Sequence, residues 1–191
     1  MLITLVFHGH SVPAGYWHNS EVHTLDSYPN LVLEKIKKKY PLAVVNVIVT
    51  AIGGENAIKG ENRFKKDVLK FKPDVIFIDY ALNDMWQNKE VVRTAWESMI
   101  QKALKIGIKV ILITPSPDQR ENMLDSENKL VKQAEQIEEL AYKYHIGLAN
   151  VCLVFQEILK EKGKIDDLMS HINHPNRHGH LLISDEIIKL F

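Results

Sequence analysis

Leu2-Ile3-Thr4-Leu5-Val6-Phe7-His8-Gly9-His10-Ser11 opens the chain with a strand-forming run that breaks at a glycine and delivers a serine. The apolar part shows almost no polar alternation, which is the pattern of a strand buried on both faces of a parallel sheet. Working outward, the same grammar recurs in residues 43–50, 75–79 and 109–114, and more weakly in 147–150. Between these runs, residues 29–40, 61–71, 89–106 and 126–144 have helical periodicity with Lys and Glu on one face. Residues 176–191 form a last amphipathic stretch, with Asn176 placed to cap it. Apolar strands alternating with amphipathic helices predict an α/β fold. A doubly wound, three-layer α/β/α arrangement with a flavodoxin-like parallel sheet of about five strands is expected. Ligands in such folds bind at the carboxyl ends of the strands, so the segments after Phe7, Thr50, Asp79 and Thr114 are candidate site loops.

The 191 residues suit one domain spanning 1–191, with no repeat or Pro/Gly/Ser-rich linker to divide it. Lys plus Arg and Asp plus Glu number 24 each, so no global field attracts nucleic acid or an anionic membrane, and neither is expected as a partner. The lone Cys152 lies in no metal or redox motif and reads as a buried, inert thiol. No apolar stretch approaches the ~20 residues of a membrane span, and the first residues lack the features of a signal peptide; the cytoplasm is the expected compartment. Oligomeric state is not legible.

Chemistry gathers on four loops. Ser11 sits in a glycine-flanked turn, Gly9 to Gly15, which alone is as well read as an ordinary βα turn. Gly53-Gly54 can present backbone N–H groups to an anion; no GxGxxG or Walker lysine accompanies them. Asn83 can donate from its amide or simply close an Asx turn. Near the C-terminus His171, His174, His178 and His180 fall within ten residues, a cluster suited to base or metal chemistry.

These four blocks, in this order, resemble the SGNH (GDSL-like) hydrolases, a family that includes acetylesterases, lysophospholipases and thioesterases. By that resemblance Ser11 is the nucleophile and His174, followed by Pro175-Asn176, its general base. The backbone N–H groups of Ser11 and Gly54 and the amide of Asn83 would form the oxyanion hole. The resemblance implies a cofactor-free, metal-free serine esterase acting on small acyl esters, with acetyl groups favoured. Tyr16, Trp17 and Trp86 lie just beyond the first and third blocks and are candidates for substrate contact or for plain packing.

The chain departs from the family pattern at three positions. His171 stands where the family has an aspartate three residues before the base, His10 where it has an aspartate before the serine, and Ala81 where it has a third-block glycine. Asp167 is taken as the orienting acid, with Asp166, Ser170 or a backbone carbonyl as substitutes. Two rivals follow from these departures. One is a metal-dependent hydrolase using His8, His10, His171, His174, His178 or His180; the other is a catalytically silent ester- or carbohydrate-binding protein.

Overall fold

The computed structural model describes residues 2–191. Its sheet has five parallel strands in the order β2-β1-β3-β4-β5: β1 (Leu2–Gly9), β2 (Val44–Val49), β3 (Val75–Asp79), β4 (Lys109–Ile113) and β5 (Gly147–Ala149). That order is the flavodoxin-like winding, whose direction reverses between β1 and β3. Phe7 pairs with Val49 on one side and Phe77 on the other, so the nucleophile strand is central and delivers its end to the reversal point.

Alternation along β1 builds two cores. Leu5 and Phe7 face a layer containing α2 (Tyr28–Lys39), α7 (Val151–Lys162) and α8 (Arg177–Ile188), where they meet Val32, Phe155 and Ile187. Val6 faces the other way, toward α3 (Ala57–Asp67) and α5 (Lys89–Leu104), and joins Phe64, Trp96 and Met99. The helix α6 (Lys129–Tyr144) supplies Leu130 to the first core and Ile137 to the second. Each fully buried large side chain contributes about 2 kcal/mol, which ties both helical layers to the sheet.

Helix limits follow local capping more closely than periodicity. The helix expected from residue 61 starts at Ala57, because the Asn56 side chain accepts from Lys59 N and Asp84 takes the Ala57 N–H. The helix expected from residue 126 starts at Lys129, where Asn128 caps Leu130 N. Helix α7, to which the sequence pattern assigns no bounds, has Val151, Cys152 and Phe155 as its buried side; Asn150 caps it and Gly163 ends it at φ 72°. Two short helices, α1 (Ser11–Ala14) and α4 (Ala81–Asp84), follow β1 and β3, and a small antiparallel pair, β6 (Met169–His171) with β7 (His174–Pro175), precedes α8. Among the described residues no helix is long and apolar enough to cross a membrane.

Candidate active site

Ser11 is the first residue of α1, presented where β1 stops. Three local devices make the turn. A Cβ on Gly9 would lie 2.4 Å from the Asp79 carbonyl oxygen and 2.7 Å from Pro13, so only glycine lets the chain pass that close to β3. His10 caps α1 through Nδ1, which accepts from Val12 N at 3.2 Å. Gly15, at φ 88°, closes the turn in the left-handed region. His10 thus takes over a capping role usual for Asp. Its Nε2 lies 3.3 Å from Asp79 Oδ1, near enough for attraction yet out of line for a hydrogen bond. Asp79 in turn accepts from the Tyr28 hydroxyl at 2.9 Å.

The other partner arrives from the opposite end of the chain. The β6–β7 pair places His171 across from His174, and Asn176 then caps α8 by accepting from His178 N and Gly179 N. Gly179 is held tightly: a Cβ there would meet the Leu168 carbonyl at 2.4 Å. This docking brings His174 Nε2 to 3.0 Å from Ser11 Oγ, across 163 positions of sequence. Ser11 is 8% exposed, so the hydroxyl is sheltered but reachable. Burial, reinforced by His10 and His171 nearby, lowers the His174 pKa to about 4. The ring is therefore neutral near pH 7, the form that can accept the serine proton.

The expected orienting acid is not brought to that ring. Asp167 lies exposed in a short 3-10 turn, and its backbone carbonyl, not its carboxylate, is engaged, by Asn176 Nδ2 at 2.8 Å. Asp166 bonds Gln119, and Ser170 donates to the His174 and Pro175 carbonyls. His174 Nδ1 is buried with no hydrogen-bond partner. His171, exposed, has its ring centroid 6.0 Å from that of His174.

The expected oxyanion donors sit on the neighbouring loops. Ile52 N donates to the Gly9 carbonyl at 3.0 Å, pinning the glycine loop beside the serine turn. Gly54 adopts φ 74° and a Cβ there would touch nothing within 4 Å, so its requirement is conformational. Gly53 is different, because the Tyr16 ring occupies the place its side chain would take, 2.9 Å from an added Cβ. Asn83 lies in α4, and its Nδ2 donates to the Glu55 carbonyl at 2.7 Å. The amide's second N–H remains for another acceptor.

Of the proposed substrate contacts, Tyr16 is half-buried with its ring centroid 6.1 Å from that of His174. Trp17 stacks on His23 at 4.4 Å and so is largely spent on packing. Trp86 is 56% exposed, with the Lys129 ammonium over its ring. The histidines do not converge on a metal. His8 bonds Thr50 and Gly60, His10 caps α1, His180 accepts from Tyr28 N, and no group of three or more ligand-type residues is arranged for an ion among the described residues. Asp84, which no sequence signal singled out, is fully buried, bonds Ala57 N and Trp96 Nε1, and has its pKa raised to about 6 by desolvation.

The family model for GDSL-like lipases and acylhydrolases matches residues 7–182, which takes in all four blocks. The chain belongs to that family. GDSL-like acylhydrolases are carboxylic ester hydrolases, and the three-layer fold agrees with solved members. A catalytic mutant of Axe2, an acetylxylan esterase from Geobacillus stearothermophilus, is 20% identical with a TM-score of 0.85, the match covering 98% of this chain and 93% of that one. The acetyl xylan esterase AlAXEase is 23% identical with a TM-score of 0.83, covering 98% and 99% respectively. At such identities these likenesses speak for the fold. Catalytic mutants of Axe2 are described at a serine, an aspartate and a histidine three positions after that aspartate. Among proteins with curated functions, none matches the sequence significantly.

Proposed function

We propose that this GDSL-like acylhydrolase removes small acyl groups, acetyl foremost, from uncharged alcohols by a serine mechanism. The observation that carries the reading is the 3.0 Å contact between Ser11 Oγ and His174 Nε2 at the carboxyl end of the central strand. His174 accepts the hydroxyl proton as Ser11 attacks the ester carbonyl. Charge building on the carbonyl oxygen is met by the Ser11 and Gly54 N–H groups and by the free N–H of Asn83, each such donor worth about 3 kcal/mol. Protonated His174 then releases the alcohol, and water repeats the sequence on the acyl-enzyme.

An uncharged alcohol is supported by the pairing of cations beside candidate site residues: Lys129, over the Trp86 ring, is held by Glu121, and Arg177, three residues after His174, by Asp26, which leaves both compensated. A small acyl group is supported by the Tyr16 ring packed against Gly53, which narrows the space beside the expected oxyanion loop. The acetylxylan esterases of like fold agree with both features. The unpartnered His174 Nδ1 favours one other reading, a silent ester-binding protein. Wild type, Ser11→Ala and His174→Ala should be compared on an activated aryl acetate and with a fluorophosphonate. The esterase reading expects a serine adduct on wild type only, and at least a ~10³-fold loss of kcat in each variant. A wild type with neither turnover nor adduct leaves the silent reading standing.

A further inference from the structure

A polar chain runs beneath the expected oxyanion loop and ends under the nucleophile strand. The Glu55 carboxylate, on the residue after Gly54, receives Arg63 Nε at 2.8 Å and Nη2 at 2.6 Å. Arg63 Nη2 also reaches the Tyr80 hydroxyl at 3.1 Å, and that hydroxyl lies 3.1 Å from His8 Nε2. His8 Nδ1 is 2.8 Å from Thr50 Oγ1, whose other neighbour is the Phe7 carbonyl at 3.4 Å. Donor logic fixes the protons. Arginine only donates, so Tyr80 accepts from it and can turn its own proton to Glu55 Oε2 at 3.5 Å; the Gly60 carbonyl, 3.1 Å from His8 Nε2, only accepts, so Nε2 carries the ring proton. His8 Nδ1 is then the acceptor, taking the Thr50 hydroxyl proton. The chain is sheltered: the Arg63 and Glu55 side chains are only 14% and 12% exposed. Burial and the Arg63 charge hold the His8 pKa near 4, so its ring stays neutral as this arrangement requires.

We propose that Arg63, through Glu55, is a positioning residue for the oxyanion hole, fixing the Asn83 amide and the Gly54 N–H relative to Ser11. The link is the Glu55 backbone. Its carbonyl accepts from Asn83 Nδ2 at 2.7 Å, and a reversed amide would set two oxygens against each other, so this bond selects the orientation that leaves the second N–H free. A Cβ on Gly54 would meet nothing within 4 Å, so open space lies on that side of the residue. Its placement therefore depends on the anchors beside it, of which the Arg63–Glu55 pair is the only ion pair on residues 51–56 among the described residues. The inference rests on the serine esterase reading given above.

The test compares wild type with Arg63→Met, Arg63→Lys and Asp67→Asn, measuring kcat and KM on an aryl acetate, fluorophosphonate labelling rate and melting temperature. Arg63→Met should lower kcat and labelling about tenfold, part of the 10²–10³ that a lost oxyanion donor costs, with KM within about twofold. Arg63→Lys keeps a charge for Glu55 without the second arm to Tyr80 and should recover part of the loss; it carries the test if the methionine variant does not fold. Asp67, a 3.5 Å partner of Arg63 away from the loop, should be replaceable without change in kcat. A folded Arg63→Met enzyme with reduced melting temperature but wild-type kcat would overturn the positioning role, as would an equal kcat loss in Asp67→Asn. Wild type that neither turns over nor labels would instead overturn the esterase reading, and this inference with it.

Discussion

Replacing His171 with aspartate should make the enzyme faster at neutral pH. His174 must accept the Ser11 proton at Nε2, so its own proton sits on Nδ1, which is buried without an acceptor. An unmet buried donor costs about 1–3 kcal/mol, and the imidazolium that forms during acylation has no counter-charge on that side. Positions 171 and 174 face each other across the β6–β7 pair, where Cβ atoms stand about 5 Å apart, so an aspartate carboxylate reaches Nδ1. At the observed ring separation of 6.0 Å a unit charge acts on His174 with about 2.8 kcal/mol at an effective dielectric of 20 and about 0.7 in water. Position 171 is exposed, so solvent screening favours the lower figure, roughly one pKa unit or less through space. The direct hydrogen bond adds to this, and removing such an acid from a working triad costs up to about 10⁴ in kcat. His171→Asp is expected to raise kcat at pH 7 by at least about tenfold. The neutral His174 is the active form, so the acid limb of kcat/KM, near pH 4 in wild type, should move upward by up to about one unit. A pH series on an aryl acetate, with melting temperature as a control, reads both effects. An unchanged kcat with the limb still near 4 would refute the reasoning, since it would mean Nδ1 is already served.

Stability should fall on mild acidification. His8 and His180 are buried neutral, with pKa values lowered from 6.5 to about 4 and about 3, so below pH 6.5 the unfolded chain binds the extra protons. Between pH 7 and 5 each costs about 2 kcal/mol, while Asp84, whose raised pKa favours the folded state on acidification, returns about 1 kcal/mol. Urea midpoints at the two pH values should show the net loss, and equal midpoints would contradict it. Gly60→Ala, normally favourable inside a helix, should here destabilise by about 1–3 kcal/mol, because the new methyl meets the Tyr80 ring at 2.4 Å; denaturant titration checks the sign. Cys152, with 2% exposure and a thiol pKa pushed up to about 12, should resist alkylation at pH 8 until the protein unfolds, which mass spectrometry can follow.

The strands were legible because each is a short run of Val, Ile and Leu with no competing period, and residues 75–79 coincide with β3 as read. Helix starts were less legible, since Asn56 and Asn128 set them through side-chain caps that periodicity does not register. The site loops could be located because glycine requirements leave marks in sequence: Gly9, Gly15 and Gly54 each answer a close approach or a positive φ. What could not be read was partnership across elements. Asp167 looked near His174 along the chain, yet the 3-10 turn directs its carboxylate to solvent. Arg63 and Tyr80 lie 17 positions apart and meet only because α3 packs beside the end of β3.

Tyr16 and Gly53 belong to different loops yet share one volume, the ring of one filling the space denied to a side chain on the other. The two positions are therefore inherited as a unit. A chimera that borrows either loop from a relative must borrow both, and a library that varies residue 16 without residue 53 explores only half of the shapes this mouth can take.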